Sequence, residues 1–535
     1  MSISRNLRVL VIEDNPEMVK TYSDAITILR DDFDVEKPVI AGGYDQAVSQ
    51  ISRSFPFHLV ILDIKLPQTA GGDADAFGGS GLELIESLEA RHDYPIPALL
   101  LLTGEPKRIH TYSGLSDRLA KGFFYRRVEH KGRDVVEVIR EALEAAQRYM
   151  DFGISVVDAR QTPRPPLSPR EFDLLRRFGL NEKNYAGLEL RWWTSEQKGP
   201  NPDDWAKVLV GRFLMRGHDL KSRPFFFKLE SKVNGLGSSK GSTILGALTD
   251  HAQPMGHLEC DHRSLLVTGQ ATGPDRGDPF SLSDFLARPP SEVLRHLDRV
   301  AKDIAEGVRF GDPYPEPHPA KDLFWRFHWD QLETYDKSWK EKIGAEADLT
   351  PSNVLRRLGE DTAMRWVQWQ ACLHGDLHLG NVALGMDDDQ VRAKVFDPGS
   401  MEAGPCGRDL AALEVSLVLH QLCPEPGIAA FCMPLFDGTA TELSEPAGEL
   451  PPIVLNTARL LNRIRAHALK TTDTSEHRVL LLDYALIQLG SLAYASSASG
   501  NKVKRADDAI ALYRALARWN LRTQPEGSGR LHQNA

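Results

Sequence analysis

The residues most apt for chemistry stand together late in the chain: His374, Gly375 and Asp376, then Asn381 five positions after Asp376, then Asp397. Phosphoryl transfer from a nucleotide needs a carboxylate to take the proton of the attacking hydroxyl, and oxygen ligands to hold Mg²⁺ across the phosphates. Asp376 with Asn381 at that spacing offers both. Asp397 closes the apolar pair Val395 and Phe396 at the end of an expected strand, where a second carboxylate can complete the metal site. His374 and His378 are four apart, but Gly375 between them and Gly380 after them argue for a loop rather than a zinc-binding helix.

A second set of carboxylates lies near the start. Glu13 and Asp14 follow the apolar run 8–12, Asp63 closes the run 58–63, and Thr103 closes the run 98–103. Clustered carboxylates repel one another unless a divalent cation neutralises them, so a Mg²⁺ site is the inference. An Asp on such a rim can also form an aspartyl phosphate.

The elements that must position these residues are legible in the hydrophobic pattern. Over residues 1–153, five short apolar runs (8–12, 35–41, 58–63, 98–103 and from 123) alternate with helical periodicity, which predicts a doubly wound parallel sheet with its ligand site at the carboxyl ends of the strands. Val135, Val136, Ile139, Leu143 and Ala146 make one apolar stripe of the last helix. The proline-rich run 162–169 reads as a stiff connector. A short helix over 170–180, a strand over 186–193 and a hairpin over 206–229 follow. Residues 281–370 read as helices with polar breaks, and helices are expected over 410–422 and 453–518, with Thr457 interrupting the apolar stripe of the latter.

The stretch HGDLHLGN at 374–381, with VFDPGS from 395 and GPCGRDLAALE from 404, resembles the aminoglycoside phosphotransferase and choline kinase superfamily. The resemblance implies a bilobal α+β protein-kinase-like fold that uses ATP and Mg²⁺ to phosphorylate a hydroxyl. It implies Asp376 as base, Asn381 and Asp397 as metal ligands, His374 and Asp409 as supports of the loop, and Lys228 on the α- and β-phosphates. Two features depart from the wider protein-kinase pattern. No full glycine-rich phosphate cover precedes Lys228, and no acid in 238–248 can pair with it, while Glu230 reads as too close along the chain and Glu259 as lying on a strand.

The first 153 residues are similar to the receiver domain of bacterial two-component response regulators, whose motifs recur in order as VIEDN, LDIKLP, GLELI and LLLTG. This flavodoxin-like resemblance implies Asp63 as phosphoacceptor, Glu13 and Asp14 with Asp63 as metal ligands, and Thr103 as the responding hydroxyl. It also implies a sensor histidine kinase or another protein as partner. The family expects a Lys ending the fifth strand. Here Arg127 could stand in, or Lys131 could reach back.

The expected organisation is multidomain: receiver 1–153, linker and connecting helix 154–185, and kinase-like domain 186–523 with lobes divided near 275. A disordered tail 524–535 is expected at the end. A formal charge of -10, with no basic stripe and no helix-turn-helix, speaks against a nucleic-acid binder. Five cysteines without a C-x-x-C pair fit reduced thiols, and no apolar run approaches the ~18 residues of a membrane span, so a soluble cytoplasmic protein is expected. The leading expectation is a receiver-regulated phosphotransferase. The alternative is a catalytically weak or inactive pseudokinase scaffold that binds nucleotide or a protein partner under receiver control.

Overall fold

The computed structural model describes residues 6–53, 56–69, 80–89, 96–104, 123–131, 134–157, 166–181, 185–196, 206–217, 221–231, 254–260, 263–269, 278–319, 336, 346–359, 364–370, 372–387, 389–398, 401–419, 428–444, 450–493 and 500–522. The chain forms two compact units, Met1–Leu236 with Pro254–Thr268, and Gly237–Gln253 with Gly269–Ala535. The aromatic run 324–329, the proline run up to 165, most of the loop 70–81 and the tail 524–535 fall outside the described residues.

The first unit opens with strands β1 (Val9–Ile12), β2 (Val39–Ala41), β3 (Leu59–Asp63), β4 (Ala98–Thr103) and β5 (Tyr125–His130). Their order is β2-β1-β3-β4-β5, parallel throughout. Side chains alternate along a strand, and here both faces are covered, which explains why the central strands read as unbroken apolar runs. Val9, Val11, Ile61 and Leu100 pack under helices α1 (Pro16–Ile28) and the later Val135–Asp151 helix. Leu10, Ile12, Val60 and Leu101 pack under α2 (Tyr44–Arg53) and α3 (Ser80–Glu89). The Val135–Asp151 helix, α4, is capped by the Asp134 side chain. Its buried face is Val138, Ile139, Ala142, Leu143, Ala145, Ala146 and Tyr149, so the expected stripe is shifted and Val135 and Val136 are only partly buried.

The connector expected over 154–185 needs correction. Residues Gly153–Val157 form β6, the edge of a second sheet ordered β10-β11-β9-β8-β7-β6. Its other strands are β7 (Tyr185–Glu196), β8 (Ala206–Met215), β9 (Phe225–Ser231), β10 (Pro254–Cys260) and β11 (Arg263–Gly269). Helix α5 (Pro169–Asn181) packs Leu174, Leu175 and Leu180 on this sheet, and Tyr149 and Phe152 from the end of α4 enter the same core. The short β-prone run Gly-Ile-Ser-Val-Val pairs in parallel with β7, so this part of the chain belongs to the sheet edge rather than to a tether.

Charges buried with α5 are paired. Lys207 and Glu171, both fully buried, lie 2.6 Å apart, and Arg263 bonds the other oxygen of Glu171. Tyr149 donates to Asp173 at 2.6 Å. Pairing is required because an uncompensated buried charge costs several kcal/mol.

The second unit comprises β12 (Phe280–Ser281), α6 (Leu282–Leu286), α7 (Pro290–Gly307), β13 (Tyr314–Pro319), α8 (Pro351–Gly359), β14 (Met364–Gln370), β15 (Val382–Asp387), β16 (Gln390–Val395), β17 (Gly404–Pro405), α9 (Arg408–Leu417), α10 (Ile428–Phe436), α11 (Pro452–Ala468), α12 (Thr474–Ala493) and α13 (Gly500–Arg522). The expectation of helices throughout 281–370 fails at β13 and β14, which pair antiparallel beside β17. The prolines of β13 lack N–H donors, and the strand accordingly lies at the sheet edge. Thr457 does not break α11, because its hydroxyl bonds back to Ile453 O at 2.6 Å.

Helices α9, α11 and α12 meet at Glu414, whose side chain is fully buried. It accepts from Arg465 at 2.7 and 3.0 Å and lies 2.8 Å from His477 Nε2. Burial alone would raise its pKa, but Arg465 and His477 outweigh burial and hold it below the usual carboxylate range. The sign is that of a depressed acid. Its stabilisation is complete above the unfolded carboxyl value and is lost as pH falls through the lower folded value. Glu414→Ala, which leaves Arg465 buried without its acid, is expected to cost about 3–5 kcal/mol at neutral pH by urea denaturation. That deficit should shrink as the pH falls through the lowered folded value, where Glu414 takes up its proton.

Candidate catalytic loop and candidate metal centre

In the first unit, Glu13 and Asp14 follow β1 and Asp63 ends β3, at the point where the strand order reverses. One ligand oxygen from each lies within 4.8 Å of the others. Glu13 and Asp63 are buried. Gly81, in the first turn of α3, lets that helix approach the end of β3, since a Cβ there would lie 2.7 Å from Asp63 O and 2.6 Å from Ile64 O.

The structure resolves the displaced cation. Strand β5 runs on to His130, so Lys131 stands at the strand end, 2.7 Å from Asp63 Oδ2 and 2.8 Å from Glu13 Oε2. Arg127 instead pairs with Glu141 and Glu129. Burial, then the Asp63 charge, raises the Glu13 pKa, and burial raises that of Asp63, with Lys131 opposing both shifts. Burial would lower the Lys131 pKa, but its bonds to Asp63 and Glu13 prevail and raise it. Three hard oxygens at this spacing suit a small divalent cation, which would take over the neutralisation that Lys131 only partly supplies. Thr103 ends β4, in register with His130.

In the second unit, the loop between β14 and β15 is held from below. The carboxylate of Asp409, buried in the first turn of α9, accepts from His374 N at 2.7 Å and Gly375 N at 2.8 Å. The fully buried His374 ring reaches Phe396 O at 3.1 Å through Nε2. Ser416 Oγ accepts from Leu379 N at 3.0 Å. His378 Nδ1 accepts from Gly380 N at 3.0 Å, so both histidines serve the loop's own hydrogen bonds.

These contacts bring Asp376, Asn381 and Asp397 together. Asn381 Nδ2 donates to Asp376 O at 2.9 Å and to Asp397 O at 3.2 Å, and Phe396 N donates to Asn381 O at 3.0 Å. With Nδ2 committed to carbonyls, Oδ1 is the amide atom suited to ligate a cation. Gly375 has φ +78° and Asp397 φ +57°. Glycine takes this left-handed region freely, while an Asp there is uncommon and is held by its surroundings. The Asp376 and Asp397 side chains remain partly exposed. Two accessible carboxylates and one amide oxygen fit a hard cation and leave a carboxylate for proton transfer.

Lys228 lies on β9, with Nζ 3.4 Å from Glu230 Oε2. The dismissal of Glu230 as too close therefore needs correction, because residues two apart on a strand share a face. The acid-free segment 238–248 lies outside the described residues. Sequence reasoning missed the buried Lys207–Glu171–Arg263 group, for which no local spacing gives a signal.

No protein-family model and no curated protein matches the sequence. Among solved structures, the chain is similar to a Plasmodium vivax ethanolamine kinase at 11% identity, TM-score 0.32, covering 65% of this chain and 86% of that one. It is similar to a microcompartment-associated aminopropanol kinase at 15% identity, TM-score 0.32, covering 61% and 94% respectively. An aminoglycoside-3'-phosphotransferase of type VIII aligns at 21% identity, TM-score 0.26, covering 55% and 98%. No helix of the described residues is long and apolar enough to cross a membrane.

The raised Glu13 and Asp63 values mean that the folded protein holds these protons more readily than the unfolded chain, so ionisation here costs stability as pH rises. Asp63→Asn is expected to raise the thermal midpoint in metal-free buffer by roughly 2–4 °C, corresponding to about 1 kcal/mol. Mg²⁺ titrated into the wild type should bind more weakly as pH is lowered, and binding should be lost in Asp63→Asn by calorimetry.

Proposed function

We propose that the chain is an ATP- and Mg²⁺-dependent phosphotransferase that phosphorylates a hydroxyl of its substrate, governed by a receiver-like front half and working in the cytoplasm in signal transduction. The observation that carries this reading is the Asn381 amide, which ties the main chains of Asp376 and Asp397 to one point. In this reading Asp376 orients the acceptor hydroxyl and takes its proton. Asn381 and Asp397 hold Mg²⁺, which when bound neutralises charge on the nucleotide phosphates. Lys228 grips those phosphates, and His374 and Asp409 keep the loop in place.

The front half is read as the control element. Its support is the β2-β1-β3-β4-β5 order with Glu13, Asp14, Asp63 and Lys131 at the switch point. Asp63 would accept a phosphoryl group from a sensor histidine kinase, and Lys131 would then pair with the new anion in place of the carboxylate. A scaffold without chemistry is the second reading, and it is favoured by one observation: Lys228 pairs with an acid on its own strand.

Asp376→Asn removes the proton acceptor with little change of shape. Transfer or hydrolysis of ATP is expected to fall by about 10²–10⁴ fold. Equal turnover by wild type and variant would overturn the base assignment. ATP and Mg²⁺ binding by calorimetry, with no turnover against any hydroxyl acceptor, would establish the scaffold instead.

A further inference from the structure

Behind the loop, on the side where α9 begins, the second unit has a cavity of about 430 Å³. Its polar lining is weighted towards cations. Lys302 on α7, Arg309 just beyond α7 and Lys470 just beyond α11 all border it, against two acids, Glu306 and Asp409. Glu306 is taken by Lys302 at 3.5 Å, and both oxygens of Asp409 are turned to the amides of His374 and Gly375. Neither the Arg309 guanidinium nor the Lys470 ammonium makes an ion pair with any described residue. Lys470 Nζ instead lies 3.4 Å from His467 Nδ1, another lining residue.

The backbone adds to this field. Gly407, with φ +82°, caps α9 without a side-chain hydrogen bond, and the cavity wall includes Gly407, Asp409 and Leu410 of that first turn. Amides at a helix start carry partial positive charge. Burial, then the Lys470 charge, holds His467 below its usual value. Ala305, Val308 and Pro313 give part of the wall an apolar character that a bare inorganic ion would not use.

We propose that this cavity is an effector site for a small organic anion, a molecule carrying a phosphate or carboxylate group that seats between Arg309, Lys470 and the first turn of α9. The site is separate from Asp376 and does not depend on the phosphotransferase reading. Its consequence reaches the loop through one residue. A ligand that orders the start of α9 orders Asp409, and Asp409 holds the two amides immediately before Asp376.

Calorimetry on the full chain at fixed ionic strength tests this with three probes: glycerol 3-phosphate, inorganic phosphate and glutarate. Saturable binding of glycerol 3-phosphate or glutarate is expected, identifying the phosphate or the carboxylate source respectively. Replacing Lys302, Arg309 and Lys470 together by Gln should weaken it by at least about tenfold. Lys470→Gln alone, an exposed change that spares the fold, should weaken it measurably. Hydrogen exchange should slow at 373–376 when the probe is bound to wild type and not to the triple variant. Absence of saturable binding, binding of equal strength in the triple variant, or no change in exchange at the loop would overturn the proposal.

Discussion

A buried carboxylate needs donors to replace the water it has lost, and the second unit is organised around one that has them. Asp409 takes its donors from the backbone of the loop it supports, so satisfying the acid and shaping the loop are the same event. His374 and Gly375 cannot move without leaving that buried side chain short of donors. The His374 ring extends the constraint to Phe396, and with it to the chain segment that bears Asp397. The Asp376 and Asp397 side chains are left partly exposed, while His374, Asn381 and Asp409 beneath them are buried.

The remaining buried acids divide according to how fully they are compensated. Glu414 is held by Arg465 and His477 and has a depressed pKa, the behaviour of a group that serves cohesion. Glu13 and Asp63 share a single ammonium, and their pKa values are raised despite it. One cation cannot neutralise two desolvated carboxylates with a third nearby, so the rim is poised to accept further positive charge. The same kind of residue is therefore fully compensated in one place and only partly compensated in the other.

What was legible in the sequence follows from the range of the interactions involved. The central strands of the first sheet, buried on both faces, read directly as apolar runs, and their carboxyl ends gave the acid trio. The order of Asp376, Asn381 and Asp397 was visible for a similar reason, since one hairpin separates them. Strand length was not. Because β5 is a polar edge strand, nothing marked its end, and the choice between Arg127 and Lys131 stayed open until the register with β4 was known. β13 hid behind its prolines, and β6 behind its five-residue length. The ion group of Glu171, Lys207 and Arg263 joins residues up to 92 positions apart, beyond any local rule.

The backbone at Asp397 shows how the loop overrides local preference. Its left-handed conformation costs a non-glycine residue roughly 1–2 kcal/mol, less for Asp than for most. Two hydrogen bonds bracket the strained residue, Phe396 N to Asn381 O on one side and Asn381 Nδ2 to Asp397 O on the other. Each contributes about 1 kcal/mol net when made and costs more if its buried group is left unsatisfied. The pair is thus sufficient to hold a conformation the residue would not choose. Because the same amide also holds Asp376 O, the aim of both carboxylates depends on one side chain, itself buried to 1% exposure and fixed from below by the loop. The geometry of the site is in this sense a property of Asn381 and its anchors rather than of the acids that would perform the chemistry.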